Sequence, residues 1–285
     1  MFGASVIVFR EVLEAALIIT IILAATRGVH YRGIWVSAGV IAGVIGAVIV
    51  AYFADTISAL MEGIGQEIFN AGVLLVAVLM LAWHNIWMAS HGKELAQQMK
   101  AVGRGVSDGK LPMLALASAI TLAVLREGSE VVLFLNGMAM SGESTTNLLS
   151  GGLIGVAGGT ALGVAMYFGM LSIPLRHFFQ VTGWMILFLA AGLAASAAGF
   201  LEQAGVLPAI KPIMWDSSWL LNEQSIIGKL AHTLIGYQAR PSGIAMLAWL
   251  VTFSMILLLM KIVNFVPRQN PEPKAVTEDP LPENS

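Results

Sequence analysis

The stretch Arg10-Glu11-Val12-Leu13-Glu14 sits inside an apolar run, with Ile7, Val8 and Phe9 before it and Ala15, Ala16, Leu17 and Ile18 after it. Arg126-Glu127-Gly128-Ser129-Glu130 repeats its spacing inside a second run, from Leu122 to Leu135. On a helix, positions i and i+3 or i+4 share a face, so each stretch makes one patch of an arginine and two glutamates. Ionisable groups at membrane depth cost roughly 2.5–3.5 kcal/mol each on insertion scales, so they normally face a protein interior and mark an ion or proton path. An internal ion pair, Arg10 with Glu14 and Arg126 with Glu130, neutralises one carboxylate per motif and leaves the second acid unbalanced. Structural pairing alone therefore does not account for the motifs.

The remainder of the chain supports a membrane setting. Of 285 residues, 57% are hydrophobic and only 11% charged, which is the composition of a polytopic membrane protein. The net charge of -2 gives no basis for nucleic-acid binding. The absence of cysteine excludes disulfides, iron–sulfur clusters and thiolate sites, leaving oxygen, imidazole or thioether to hold any metal. The segment from Met1 to Thr26 lacks a charged leader region and a cleavage site, and reads as a retained first helix.

Seven stretches are long enough to cross a hydrocarbon core, which takes about 20 helical residues. They run near 4–25, 34–53, 68–88, 113–138, 148–173, 182–201 and 243–263. Arg27 and Arg32, then Lys93, Lys100, Arg104 and Lys110, then Arg176, then Lys261 and Arg268 follow odd-numbered spans, whereas the early even-numbered connections carry only acids. The positive-inside rule then places the N-terminus outside and the C-terminus in the cytoplasm of an inner or plasma membrane.

Under that alternation the two motif helices run in opposite directions. The second and fifth helices also match, with small stripes at Gly39, Gly43, Ala47 and Ala51 and at Gly151, Gly155, Gly159 and Gly163. Such stripes read as packing surfaces that let helices approach closely. The expected fold is therefore an all-α integral membrane protein with an inverted 3+3 helix repeat plus one C-terminal helix. Its halves cover about 1–111 and 112–204, its seventh helix about 243–263, and its one domain 1–265. Pro112 and Pro174 punctuate helix ends. The Pro- and Glu-rich stretch 266–285 reads as a disordered cytoplasmic tail.

Four intramembrane glutamates offer a cluster of hard oxygen ligands. Ferric iron suits them because a high positive charge best offsets the loss of protons and water; calcium, manganese and protons are physically compatible too. Arg10 and Arg126 would keep the carboxylates ionised and oriented, and would limit how tightly a cation is held.

These two Arg-Glu-x-x-Glu helices in a seven-span chain resemble the high-affinity iron permease family, the ferroxidase-coupled permeases of fungi and their bacterial relatives. The resemblance extends to about Val263 and includes Gln66-Glu67, Trp215-Asp216, Gly236-Tyr237, Pro241 and Ser242. Val12 stands where glycine is frequent, and Gly128-Ser129 where glycine and a larger apolar residue are usual. The resemblance implies uptake of Fe3+ through Glu11, Glu14, Glu127 and Glu130, organised by Arg10 and Arg126. It also implies an extracytoplasmic ferroxidase or iron-binding partner, and no built-in cofactor.

Other groups carry weaker readings. Asp55, Glu62, Glu67, Glu143 and Glu202 lie at or near the expected outer face and could concentrate cations there. Glu67 and Glu202, near helix ends, are candidates for a place on the path, as is His84 inside the third helix. His30, His91, His177 and His232 read as loop or helix-end residues. Met166 and Met170 read as packing. Gly137 to Ser144 superficially matches a phosphate loop, but Glu143 replaces the required lysine. The alternatives are a Mn2+, Zn2+, Pb2+ or proton-coupled carrier, a membrane carboxylate–metal oxidase, and a receptor or assembly subunit. The oxidase is disfavoured because neither motif carries a Glu-x-x-His pair.

Overall fold

A computed structural model describes residues 1–60, 65–169, 175–222 and 225–265. The expected tail, Glu62, Met170, Pro174 and Glu223 lie outside the described residues, as do the side chains of Asp55, Lys93, Arg176, His177 and Lys229. Among the described residues every regular element is a helix. Its elements are α1 (Phe2–Ala25), α2 (Arg32–Leu60), α3 (Gln66–Ser107), α4 (Met113–Met140), α5 (Thr145–Tyr167), α6 (Leu175–Gln203), α7 (Ile226–Ile235) and α8 (Gly243–Phe265).

Among the described residues five segments are long and apolar enough to cross a membrane: Arg32–Ala54, Gln66–Trp87, Thr145–Tyr167, Gln180–Gln203 and Gly243–Ile262. Helices α1 and α4 have the length, at 24 and 28 residues, but each carries the three charges of its motif in mid-helix.

The third apolar span ends at Trp87, close to the expected Met88, but the charged loop expected after it is helix. α3 runs unbroken for 42 residues to Ser107. At 1.5 Å per residue it is about 63 Å long, roughly twice a hydrocarbon core. The polar extension alternates good helix formers with Leu95, Met99 and Val106, which pack beside Ile18 and Ile22 of α1. His91 is accordingly a helix residue stacked on Trp87, with ring centroids 5.3 Å apart, and not a loop residue. His177 falls in the first turn of α6, at a helix end as read from the sequence.

The connection after α6 also contains structure that hydropathy does not signal. Ser225 caps α7 by accepting from the Gly228 amide at 2.9 Å, and Gly236 ends it in the left-handed region at φ 70°. Around it the chain is tied back on itself: Met214 N–H donates to Pro241 O and Ser217 N–H to Ala239 O, both at 2.9 Å. Asp216 pairs with Arg240 at 2.9 Å. The Ser218 hydroxyl and amide, and then Arg240, hold the Asp216 carboxyl below its ordinary pKa.

The small stripes are packing surfaces. α1 packs chiefly on α5, and α2 on α4. A Cβ at Gly155 would sit 2.7 Å from Ser5 O and 2.8 Å from Phe9 N, and one at Gly43 would sit 2.9 Å from Thr121 O. Backbone thus lies against backbone in both pairs, which only glycine permits. The two pairs are reciprocal, each joining a motif helix to a stripe helix, α1 to α5 and α4 to α2.

Two dry clusters flank the motifs. One joins Ala4 and Ile7 of α1 to Phe134 and Met138 of α4, with much of α3 and α6. The other joins Ile18 and Ile22 to Leu116 and Ile120. Early α1 meets late α4 and late α1 meets early α4, so the two helices cross the molecule in opposite directions. Their charged stretches fall in one layer between the clusters.

Candidate metal centre

α1 delivers Arg10, Glu11 and Glu14 to that layer, α4 delivers Glu127 and Glu130, and α3 adds His84. One ligand atom from each of Glu11, His84, Glu127 and Glu130 lies within 4.8 Å of all the others. The two motifs thus form a single cluster. Spacing along the sequence leaves open whether two such motifs form one site or two, and the geometry brings them together. Glu11 lies about two and a half turns into α1 and Glu130 about three turns before the end of α4, so antiparallel helices bring them level.

All the acids are buried, Glu11 completely. Arg10 Nε lies 3.0 Å from Glu14 Oε1, and Arg126 Nε 3.2 Å from Glu130 Oε1, so the i,i+4 pairs do form. The second acid of each motif stands farther off, with Arg10 Nη1 3.7 Å from Glu11 and Arg126 Nε 3.9 Å from Glu127. Both oxygens of Glu11 and Oε2 of Glu127 are buried without a hydrogen bond. Buried acceptors of that kind are costly unless a proton or a cation answers them.

The two arginines differ. Arg10 is enclosed, whereas the Arg126 side chain is 35% exposed and its guanidinium lies 4.5 Å from the centre of the Trp87 ring. Trp87 follows His84 by one turn on α3, so a single helix face supplies both the imidazole and the stacking partner. The Trp87 contact was not anticipated. His84 was anticipated as a path candidate, and the structure brings it into the cluster itself. Its Nε2 lies 3.3 Å from Glu14 and 3.7 Å from Glu11, and its Nδ1 contacts Glu130. Neither residue carries a local signal of this role, because their partners are remote in sequence.

The other candidates lie elsewhere. Glu67 is exposed in the first turn of α3, where a negative charge suits the helix dipole. Glu202, at the end of α6, accepts from the Ser242 hydroxyl at 2.7 Å, and Ser242 in turn accepts from the Ala245 amide at the start of α8. That carboxylate fastens α6 to α8.

The model of the iron permease FTR1 family aligns with residues 1–268. The chain belongs to the FTR1 iron permease family. Similar proteins include the ferrous iron permease EfeU of Escherichia coli O6:K15:H31, 32% identical over 93% of this chain and 95% of the relative. The protein of that name from Shigella sonnei is 31% identical over 88% and 92%, and the one from Yersinia pestis 30% identical over 85% and 86%. No solved structure matches. Membership makes the chain a membrane transporter of iron and not an enzyme, which sets aside the oxidase reading.

Proposed function

We propose that iron crosses the membrane into the cytoplasm through the cage of Glu11, His84, Glu127 and Glu130, with Glu14, Arg10 and Arg126 holding it in shape. The observation that carries this reading is the convergence of those four ligand atoms within 4.8 Å in a buried layer. Three carboxylates and an imidazole suit iron of either valence. Glu14 and Glu130 are each matched by an arginine, so two carboxylates remain uncompensated, and a divalent ion leaves the cage neutral. That charge count, together with the name of the relatives, favours Fe2+ as the ion in the cage. Ferric iron is the second reading, supported by the predominance of hard oxygen donors and by the implied ferroxidase or iron-binding partner.

In this reading α1, α2, the first part of α3, α4, α5, α6 and α8 cross the bilayer, the N-terminus lies outside, and α1–α3 and α4–α6 form an inverted repeat. The glycine contacts join α1 to α5 and α2 to α4 as two stiff pairs. The apolar clusters on either side seal the cage, and rocking one pair against the other opens first one seal and then the other.

The test is uptake by proteoliposomes containing the purified chain. Fe2+ kept reduced by ascorbate is compared with Fe3+ presented on nitrilotriacetate, each against Mn2+ and Zn2+. Iron should enter faster than either competitor, and Glu127→Gln should abolish entry at unchanged protein content. Equal entry of Mn2+ and Zn2+ would overturn iron selectivity, and faster entry of the ferric complex would replace the first valence by the second.

A further inference from the structure

Beyond the cage, about 350 Å³ of partly open space lies where the end of α4, the middle of α6 and the end of α7 meet. Glu143 and His232 line it, with Ser141, Ser196 and Gln238. Its apolar wall, Met138 and Leu193, belongs to the dry cluster above the cage. Met138 follows Glu130 by eight residues on α4, which is about 12 Å along the helix. Contacts across α3 run in the same register, Glu130 against His84 and Gly137 against Ala77. The cleft and the cage therefore lie on one line, separated by a plug that includes Phe134, Met138 and Leu193, all buried.

A glycine pair places the imidazole over this space. Gly236, the left-handed cap of α7, abuts Gly192 of α6 so closely that a Cβ on Gly192 would sit 2.8 Å from the Gly236 Cα. That contact seats the last turn of α7, and with it His232, on the cleft. Glu143 Oε2 lies 3.5 Å from the Asn147 amide nitrogen and 3.5 Å from the Met1 amino nitrogen, so the carboxylate is held at the rim of this space.

We propose that Glu143 and His232 form a docking site for a transition-metal cation at the mouth of the path, from which the ion passes the apolar plug to the cage. A carboxylate and an imidazole, with the Ser141 and Ser196 hydroxyls and the Gln238 amide, suit a partly hydrated divalent ion. The site rests on the transport reading for its place on a path, but its ability to bind does not. Its role is capture: it raises the local concentration of cation before the plug opens.

Two measurements test it. In proteoliposomes, Glu143→Gln and His232→Asn should each raise the KM for Fe2+ about tenfold, with the rate regained at saturating iron. KM values within twofold of the parent would overturn the proposal. Equilibrium dialysis of radioactive Fe2+ against purified chain carrying Glu127→Gln and Glu130→Gln isolates the cleft from the cage. One weak site should remain there and vanish when Glu143→Gln is added. Failure to find iron binding that depends on Glu143 overturns the proposal whatever transport does. If that binding is present while the parent chain moves no iron, the transport reading fails and the docking site stands.

Discussion

His84 of α3 is held against Glu130 of α4 through Nδ1, with its other ring nitrogen turned to the acids of α1. One imidazole thus bridges both motifs. Replacing it with asparagine keeps a polar side chain but removes a ligand and the only non-acidic member of the four-ligand set. His84→Asn is expected to weaken iron binding about 10–100-fold. Equilibrium dialysis of iron on the purified variant measures this, and parental affinity would assign His84 to packing alone.

Glu14 and Glu127 are both motif carboxylates but differ in their surroundings. Glu127 belongs to the four-ligand group, whereas Glu14 faces Arg10 at 3.0 Å and the His84 ring at 3.3 Å. Glu127→Gln should remove uptake altogether, because the amide oxygen is a poor substitute for a charged ligand. Glu14→Gln should leave measurable uptake at a reduced rate, since it acts through its neighbours. Initial rates at matched protein content decide the order, and equal loss in both variants would place Glu14 among the ligands.

The arginines should separate in stability. Breaking a buried pair by removing one partner costs about 3–5 kcal/mol, because the remaining charge is stranded. Arg10→Gln meets that description, since Arg10 and Glu14 are both almost wholly enclosed. Arg126 is partly exposed, and its stacking on Trp87 is worth about 0.5–2 kcal/mol. Thermal unfolding in detergent should therefore show a larger drop for Arg10→Gln than for Arg126→Gln. The reverse order would mean that the accessible side of Arg126 is covered by lipid or protein in the membrane.

The motifs, the apolar stretches and the packing stripes were legible in the sequence because each depends on spacing along one helix. Gly39, Gly43, Gly155 and Gly159 announce close approach by their period alone, and the approach is where they place it. Three features were not legible, and each for a physical reason. The second half of α3 is polar on its outer face, so hydropathy reads Lys100 and Arg104 as loop although Leu95, Met99 and Val106 pack with the apolar cluster that holds Ile18 and Ile22 of α1. α7 has ten residues, too few to register as a span, and its ends are set by Ser225 and Gly236. The place of His84 depends on contacts with α1 and α4 that no local pattern encodes. Whether the two motifs share one level was likewise not legible, since levelness of Glu11 and Glu130 depends on how far each helix is offset.

Orientation can be tested without altering the background, because the chain contains no cysteine. Lys100→Cys, exposed on the polar half of α3, should react with a membrane-impermeant maleimide only from the cytoplasmic side. Trp219→Cys, at an exposed position before α7, should react only from the opposite side. Labelling of both from one side would remove the proposed topology, and with it the inverted repeat.

The glycine stripes offer a test that separates packing from transport. A Cβ at Gly155 would meet Ser5 O, Phe9 N and the Val8 Cβ, all at 2.7–2.8 Å, and two of those atoms are backbone that cannot rotate away. At Gly152, three residues earlier on the same helix, nothing lies within 4 Å. Overpacking of a close contact costs about 1–3 kcal/mol, while alanine in an open helical position gains about 0.5–1 kcal/mol in propensity over glycine. Gly155→Ala is therefore expected to lower the unfolding temperature and Gly152→Ala to hold or raise it. If α1 and α5 move as one stiff pair, Gly155→Ala should also slow uptake, by shifting the helix that carries Glu11 and Glu14 out of level with α4. Parental stability and parental uptake in Gly155→Ala would mean that α1 and α5 do not need backbone contact at this point, and the stiff-pair account of the motion would go with it.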